Sequence, residues 1–156
     1  GDSSGEKLYF AESSAHVVSV IDLHTNTVSV FTGTRYISGL LGDGGAASAA
    51  LLSGPTFIRG APGGGAIAIA DTLNHAIRII NLKTHIITTL VGTIGASGNS
   101  GNNGPATNAK LNSPTGLSYD PSGNLYISDS LNHQIRVVDS VNQVISLPLL
   151  ARGPLG

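Results

Sequence analysis

Apolar and polar positions alternate along this chain in short runs, and one such pattern is written more than once. Asp71-Thr72-Leu73-Asn74-His75-Ala76-Ile77-Arg78-Ile79-Ile80 is an acid, a polar turn, then a β-branched run holding one Arg. Asp129-Ser130-Leu131-Asn132-His133-Gln134-Ile135-Arg136-Val137-Val138 repeats it 58 residues later, from 71 to 129. A blurred copy, Glu12-Ser13-Ser14-Ala15-His16-Val17-Val18-Ser19-Val20-Ile21, lies 59 residues before the first, from 12 to 71. Alternation bounded by turn residues predicts strands, and self-similarity at a fixed period dictates the architecture.

After a lead-in at residues 1–6, short strands are predicted at 7–11, 17–22, 27–32, 56–59, 66–71, 75–81, 86–92, 116–120, 124–129, 134–139 and 143–149. They fall in a cycle of four whose first turn lacks its opening strand. Two long connections, 33–54 and 93–113, interrupt the cycle. Gly42, Asp43, Gly44 and Gly45 form a sharp bend in the first, matched at an offset of 59 by Gly101, Asn102, Asn103 and Gly104 in the second, and both are candidate interaction loops. Residues 46–52 are expected to add one or two helical turns before Pro55, as Pro114 closes the second connection. Successive strand residues point to opposite faces, so Ile77 and Ile79 face one way and Ala76, Arg78 and Ile80 the other. Both faces carry bulk, and each four-stranded sheet needs a neighbour on both sides. Radial stacking of such sheets is a β-propeller, an all-β architecture that leaves few open edges.

Three stretches carry a resemblance: Pro114-Thr115-Gly116-Leu117, Gly123-Asn124-Leu125-Tyr126-Ile127-Ser128-Asp129 and Asn132-His133-Gln134-Ile135-Arg136. Together they resemble the NHL repeat of six-bladed propellers. The Gly42–Gly45 bend is similar to the long-loop variety of bacterial NHL proteins and teneurins. The resemblance runs from residue 7 to about 147 and implies about three blades of four antiparallel strands, half of a six-bladed ring. The repeat units fall at about 7–57, 58–116 and 117–156, all within one propeller segment of residues 1–156. NHL propellers serve as protein- or RNA-binding platforms, as sensors and occasionally as lyases, so the resemblance speaks to fold more than to function.

The repeated polar residues read as architecture. If the turn spans 72–75, Asp71 and Arg78 share a face on a diagonal within side-chain reach, and so do Asp129 and Arg136. The first copy keeps Glu12 but has Ser19 in place of Arg, so its ion pair is expected to be missing. Asn74, Asn132, His16, His75 and His133 are expected to hydrogen-bond the turn backbone. The three histidines occupy one position in successive sheets about 10 Å apart, too far to share a zinc that needs each nitrogen at about 2.0 Å. No metal, cofactor or catalytic residue is assigned. Neither Gly-x-Ser-x-Gly, a P-loop nor His-Glu-x-x-His occurs, Gly63–Gly65 precedes a strand rather than a helix, and the acids are spread one per repeat.

Composition narrows the partners. The 156 residues carry eight Lys and Arg against nine Asp and Glu, a formal charge of −1, with no basic block for nucleic acid or an anionic membrane. The 21 glycines suit tight turns, and cysteine is absent, which excludes disulfides and thiolate chemistry without fixing a compartment. No apolar run approaches the ~20 residues of a membrane helix, and no signal peptide is seen. With no Met, the chain reads as a processed product or a piece of something longer. There is no Asn-x-Ser/Thr sequon, whereas Ser and Thr leave O-linked glycan open.

An open arc exposes an apolar face at each end. At ~600 Å² and ~25 cal/mol/Å², covering one is worth up to ~15 kcal/mol, which rivals the stability of an ordinary domain. The partner is therefore expected to be another protein or further copies of this chain. The tail Gly153, Pro154, Leu155 and Gly156 matches the start of an inner strand at 113–116 and is the candidate assembly edge. The leading function is a non-enzymatic scaffold for protein–protein interaction. The alternative is a structural subunit that assembles through its open blades into a closed dimer or an extracellular fibre. A propeller lyase comes next, and RNA binding last.

Overall fold

The computed structural model describes residues 6–148. Its first sheet holds β1 (Lys7–Glu12), β2 (Val17–Asp22) and β3 (Thr27–Gly33) in that order. The second holds β4 (Pro55–Gly60), β5 (Ala66–Asp71), β6 (Ala76–Asn81) and β7 (Ile87–Val91). In the third, β9 (Pro114–Tyr119), β10 (Leu125–Asp129), β11 (Gln134–Val138) and β12 (Val144–Ser146) are followed at the outer edge by the two-residue β8 (Gly104–Pro105). All pairings are antiparallel. Eleven of these strands coincide with the predicted runs, whereas β8 falls in a segment expected to be a bend.

Local chemistry explains the turns. Asp22, Asn81 and Asp139 close the hairpins β2–β3, β6–β7 and β11–β12, each Oδ1 accepting two backbone N–H groups within the turn. The polar turns of the repeat span the expected four residues, with Asp71 opposite Ala76. Ser13–Ala15, Thr72–Asn74 and Ser130–Asn132 are single 3-10 turns, ended by His16, His75 and His133 at φ of 59°, 56° and 54°. His is among the residue types that enter this left-handed region more readily. The helical expectation at 46–52 shrinks to one 3-10 turn, Ala47–Ala49, because Ala46 and Ala50 are extended.

Faces pack as the alternation requires. Ile67, Ile69, Ile80 and Ile87 of the second sheet join Val18 of the first and Ala47, Ala50 and Leu52 of the connection in one buried cluster. Tyr9 and Phe31 meet edge to face at 4.8 Å on its margin. The opposite face of the second sheet, Ala68, Ala70, Ile77 and Val91, packs on Leu117, Leu125, Ile127, Val138 and Ile145 of the third, with Ala106, Ala109 and Leu111 from the second connection. β4 lies against both β1 and β9. The first sheet has no counterpart of β4 beside β1, so it is a blade without its inner strand among the described residues. Leu8, Val28 and Val30 on its far face, and Ile135 on that of the third sheet, are exposed. Gly153, Pro154, Leu155 and Gly156, the candidate assembly edge, lie outside the described residues.

Candidate functional site

The polar residues of the repeat gather at the ends of the sheets, where each connection enters the next blade. Strand register sets this up, because Asp71 pairs with Ala76 and Ile69 with Arg78, leaving acid and guanidinium on one face. Arg78 Nη1 lies 3.4 Å from Asp71 Oδ2, both side chains fully buried, and Arg78 Nη2 donates to Asp43 Oδ1 at 3.1 Å. In the third sheet Arg136 Nη1 stands 3.5 Å from Asp129 Oδ2. Asn102 occupies the position of Asp43 there, and Arg136 instead donates to the Ser100 and Lys110 carbonyls. Burial pushes the Asp71 carboxyl up to about 6, against the N–H donors of Ser53 and Asn74 and the charge of Arg78. Burial also lowers the pKa of Arg136, which Asp129 opposes.

The first blade corrects an expectation. Glu12 does have an ion pair: Arg35, from the connection after β3, reaches it with Nη1 to Oε2 and Nη2 to Oε1, each at 2.9 Å. Ser19 adds a hydroxyl hydrogen bond to the same carboxylate. The Arg35 hydrogen bond is the main cause that holds Glu12 below the usual carboxylate range. Strand position 19 therefore carries Ser where the other two copies carry Arg, and the loop supplies the guanidinium. The sequence signal was an acid with a short partner and one of only eight basic residues nearby.

The asparagines and histidines also depart from expectation, since among the described residues none bonds its own turn backbone through its side chain. Asn74 Nδ2 donates to Asp71 Oδ2 and to the Gly39 carbonyl, and Asn132 does the same with Asp129 and Gly98. His16 Nδ1 accepts from the Gly54 N–H at 3.0 Å, and His75 Nδ1 from the Ser113 N–H at 3.1 Å, each 38 residues ahead. The residue before each donor completes the joint: Ser53 N–H goes to Asp71 and Asn112 N–H to Asp129, both at 2.7 Å. Two consecutive amides thus bind one blade's carboxylate and the preceding blade's imidazole. His133 has no such partner among the described residues.

Gly42–Gly45 and Gly101–Gly104 spend their backbone on sheet edges. Gly44 N–H donates to the Ile87 carbonyl and Ile87 N–H to the Gly45 carbonyl, while Ala46 and Ile86 form a bridge. In the third sheet Asn103 N–H bonds the Ile145 carbonyl and β8 pairs with Val144 and Ile145. Each tetrad covers the outermost strand of the blade it enters. His24 and His85 sit exposed in hairpin turns. Among the described residues no three His, Asp or Glu side chains gather as a metal site, and no helix is long and apolar enough to cross a membrane.

Four-stranded antiparallel sheets stacked face to face, each joined to the next through its inner strand, are blades of a β-propeller. Solved structures agree. A protein of unknown function from Bacteroides thetaiotaomicron superposes with a TM-score of 0.73 at 20% identity, covering 84% of this chain and 32% of that one. An auxiliary nutrient binding protein from the same organism gives 0.70 at 23% identity, covering 86% and 35%. The family model of the NHL repeat matches residues 111–138. Human NHL repeat-containing protein 2 is 36% identical over 80 residues, 51% of this chain and 11% of its own. The chloroplastic protein SUPPRESSOR OF QUENCHING 1 of Arabidopsis thaliana is 31% identical over 139 residues, 86% of this chain and 13% of its own. The chain carries an NHL repeat at residues 111–138, is similar to NHL-repeat proteins, and spans 11–13% of the length of these curated relatives.

Proposed function

We propose that this chain is a non-enzymatic propeller segment, with repeat units at about 7–57, 58–116 and 117–156, that serves as a scaffold for protein–protein interaction. One observation carries the reading: the polar side chains that recur, His133 apart, are engaged within a blade or in the joint to the next. Asp71, Asn74, Arg78, Asp129, Asn132, Arg136, His16 and His75 all bond other parts of the fold, so the residue types that carry acid–base chemistry are held as structure. What the molecule offers a partner is then its long connections on a rigid frame, the usual place for recognition.

A second reading, self-association through the end blades, is supported by exposed Leu8, Val28, Val30 and Ile135 on the two outward sheet faces. The scaffold is tested by capturing polypeptides on the immobilised chain, identifying them by mass spectrometry and titrating the purified candidate against the chain. Saturable binding of one polypeptide is the expected result. Binding to no polypeptide other than itself, with filaments or dimers in light scattering, moves the function to self-assembly.

A further inference from the structure

The two long connections share one backbone design, which makes each a control for the other. Tyr36 N–H bonds the Ala15 carbonyl as Gly95 N–H bonds that of Asn74, both at 2.8 Å. Ile37 N–H meets Thr34 as Ala96 N–H meets Thr93, at 3.0 and 2.9 Å. Gly39 N–H reaches Leu52 and Gly98 N–H reaches Leu111, at 3.1 and 3.0 Å, while the Leu41 and Ser100 carbonyls accept from Leu51 and Lys110. The fold therefore asks the same of both loops. The side chains differ sharply: Tyr36, Ile37, Leu40 and Leu41 stand where the second loop has Gly95, Ala96, Asn99 and Ser100. These four are 77%, 53%, 44% and 68% exposed. Tyr36 also has φ of 63°, a left-handed position where the second loop uses Gly95 at 77°. Neither backbone geometry nor core packing accounts for an exposed tyrosine held in a glycine's conformation.

We propose that Tyr36, Ile37, Leu40 and Leu41 form a docking surface for a short apolar peptide segment of a partner protein, a reading that rests on the scaffold function and locates it. The occupant follows from three observations. Arg35 is paired with Glu12 and Asp43 with Arg78, so the charges bordering the patch are already engaged and affinity must come from apolar contact. The exposed apolar area is on the order of 500 Å², the size of a functional patch on a monomer but short of the ~800 Å² per side of a stable protein pair. The repeat itself shows what the counterpart position takes: the Leu40 side chain of the first connection lies 3.0 Å from where a Cβ on Gly95 of the second would stand, and Gly95 is the counterpart of Tyr36. An aliphatic side chain is thus the natural visitor to this loop position.

The test transplants the second loop's residues into the first, as Tyr36→Gly, Ile37→Ala, Leu40→Asn and Leu41→Ser together. Because the second loop already folds with these residues, the variant is expected to unfold in one cooperative calorimetric transition, which separates binding from folding. Fluorescence anisotropy is read with labelled decapeptides carrying Leu or Phe at two positions three or four apart, against matched peptides with Ser at those positions. The native chain binds the apolar peptides at least tenfold more tightly than the Ser controls, and the variant loses that preference. Equal binding by chain and variant overturns the proposal. So does a native dimer in light scattering that the variant dissolves, which makes the occupant a second copy. Co-sedimentation of the native chain with phosphatidylcholine vesicles, without peptide binding, makes it a lipid surface. If the partner captured in the scaffold experiment still binds the variant, this site fails while the scaffold reading stands.

Discussion

The backbone N–H of Ser113 donates to Nδ1 of His75 across 3.1 Å, tying the entry of the third blade to a turn of the second. The imidazole accepts at Nδ1, so its proton sits on Nε2. Asn112, one residue earlier, gives its N–H to Asp129 of the third blade itself. A left-handed His is needed because that backbone conformation lets the residue end the 3-10 turn at the joint, while its ring reaches forward to the next blade.

His75→Ala leaves the half-buried Ser113 N–H without its partner, a loss worth about 1–3 kcal/mol. His133→Ala is the control, with the same left-handed backbone at φ of 54° and no such acceptor role among the described residues. Urea denaturation is expected to separate the two variants by about that margin. Equal losses would show that the backbone conformation, and not the strap between blades, sets the requirement for His.

Asp71 makes stability depend on pH in an unusual direction. Its carboxyl is raised from 3.8 to about 6 in the folded chain, chiefly by burial. A raised pKa means the folded state holds the proton more tightly than the unfolded one. The contribution is fully present below pH 4 and is lost as pH rises through 6, by about 3 kcal/mol in all. Stability measured by denaturant titration should therefore rise from pH 7 to pH 4.5 through this group, and Asp71→Asn should flatten that slope. A native chain that weakens over this range, with the variant following it in parallel, contradicts the assignment.

Much of the frame was legible because a period of 59 and strict alternation leave few alternatives, and Asp71 with Arg78 follows from register alone. What escaped was side-chain reach across the repeat boundary. Nothing local marks His75 as a partner of Ser113, since 38 residues separate them and the contact exists only once blades stack. Arg35 escaped for the same reason: strand register points only to Ser19, whereas a long side chain from the next loop supplies the ion pair. The Gly42–Gly45 tetrad read only as a sharp bend because glycines signal turns equally well whether or not the loop then pairs with a strand edge.

Two guanidinium–carboxylate pairs in one fold should behave differently. Arg78→Ala strands the buried Asp71 charge and is expected to cost about 3–5 kcal/mol. Arg35→Ala breaks a pair whose side chains are 41% and 28% exposed, where solvent and salt already screen the attraction. Its denaturation midpoint should stay within error of the native chain. The Glu12 carboxyl, held low mainly by Arg35, should titrate higher in that variant when followed by carboxyl NMR. A midpoint drop matching that of Arg78→Ala would mean the first blade's pair is as essential as the buried one.

The glycine tetrads can be tested for their role as sheet edges through two substitutions. Gly101 has φ of 90°, and a Cβ there would stand 2.5 Å from the Cα of Ala109. Gly44 has φ of 78°, with nothing within 4 Å of a Cβ. Gly44→Ala therefore carries only the cost of a left-handed alanine, about 1–2 kcal/mol, or a few degrees of thermal midpoint in a chain of this size. Gly101→Ala adds a collision with backbone that is itself anchored, because Ala109 N–H bonds the Ala106 carbonyl and Ala109 belongs to the core between the second and third blades. Relief requires moving either that core or β8, and pulling β8 away uncovers β12. Calorimetry should find the midpoint of Gly101→Ala well below that of Gly44→Ala, with faster amide exchange at Asn103 and Ala106, whose N–H groups bond Ile145 and Gln143. Equal midpoints and unchanged exchange would mean that the loop yields freely and that β12 does not depend on it for cover.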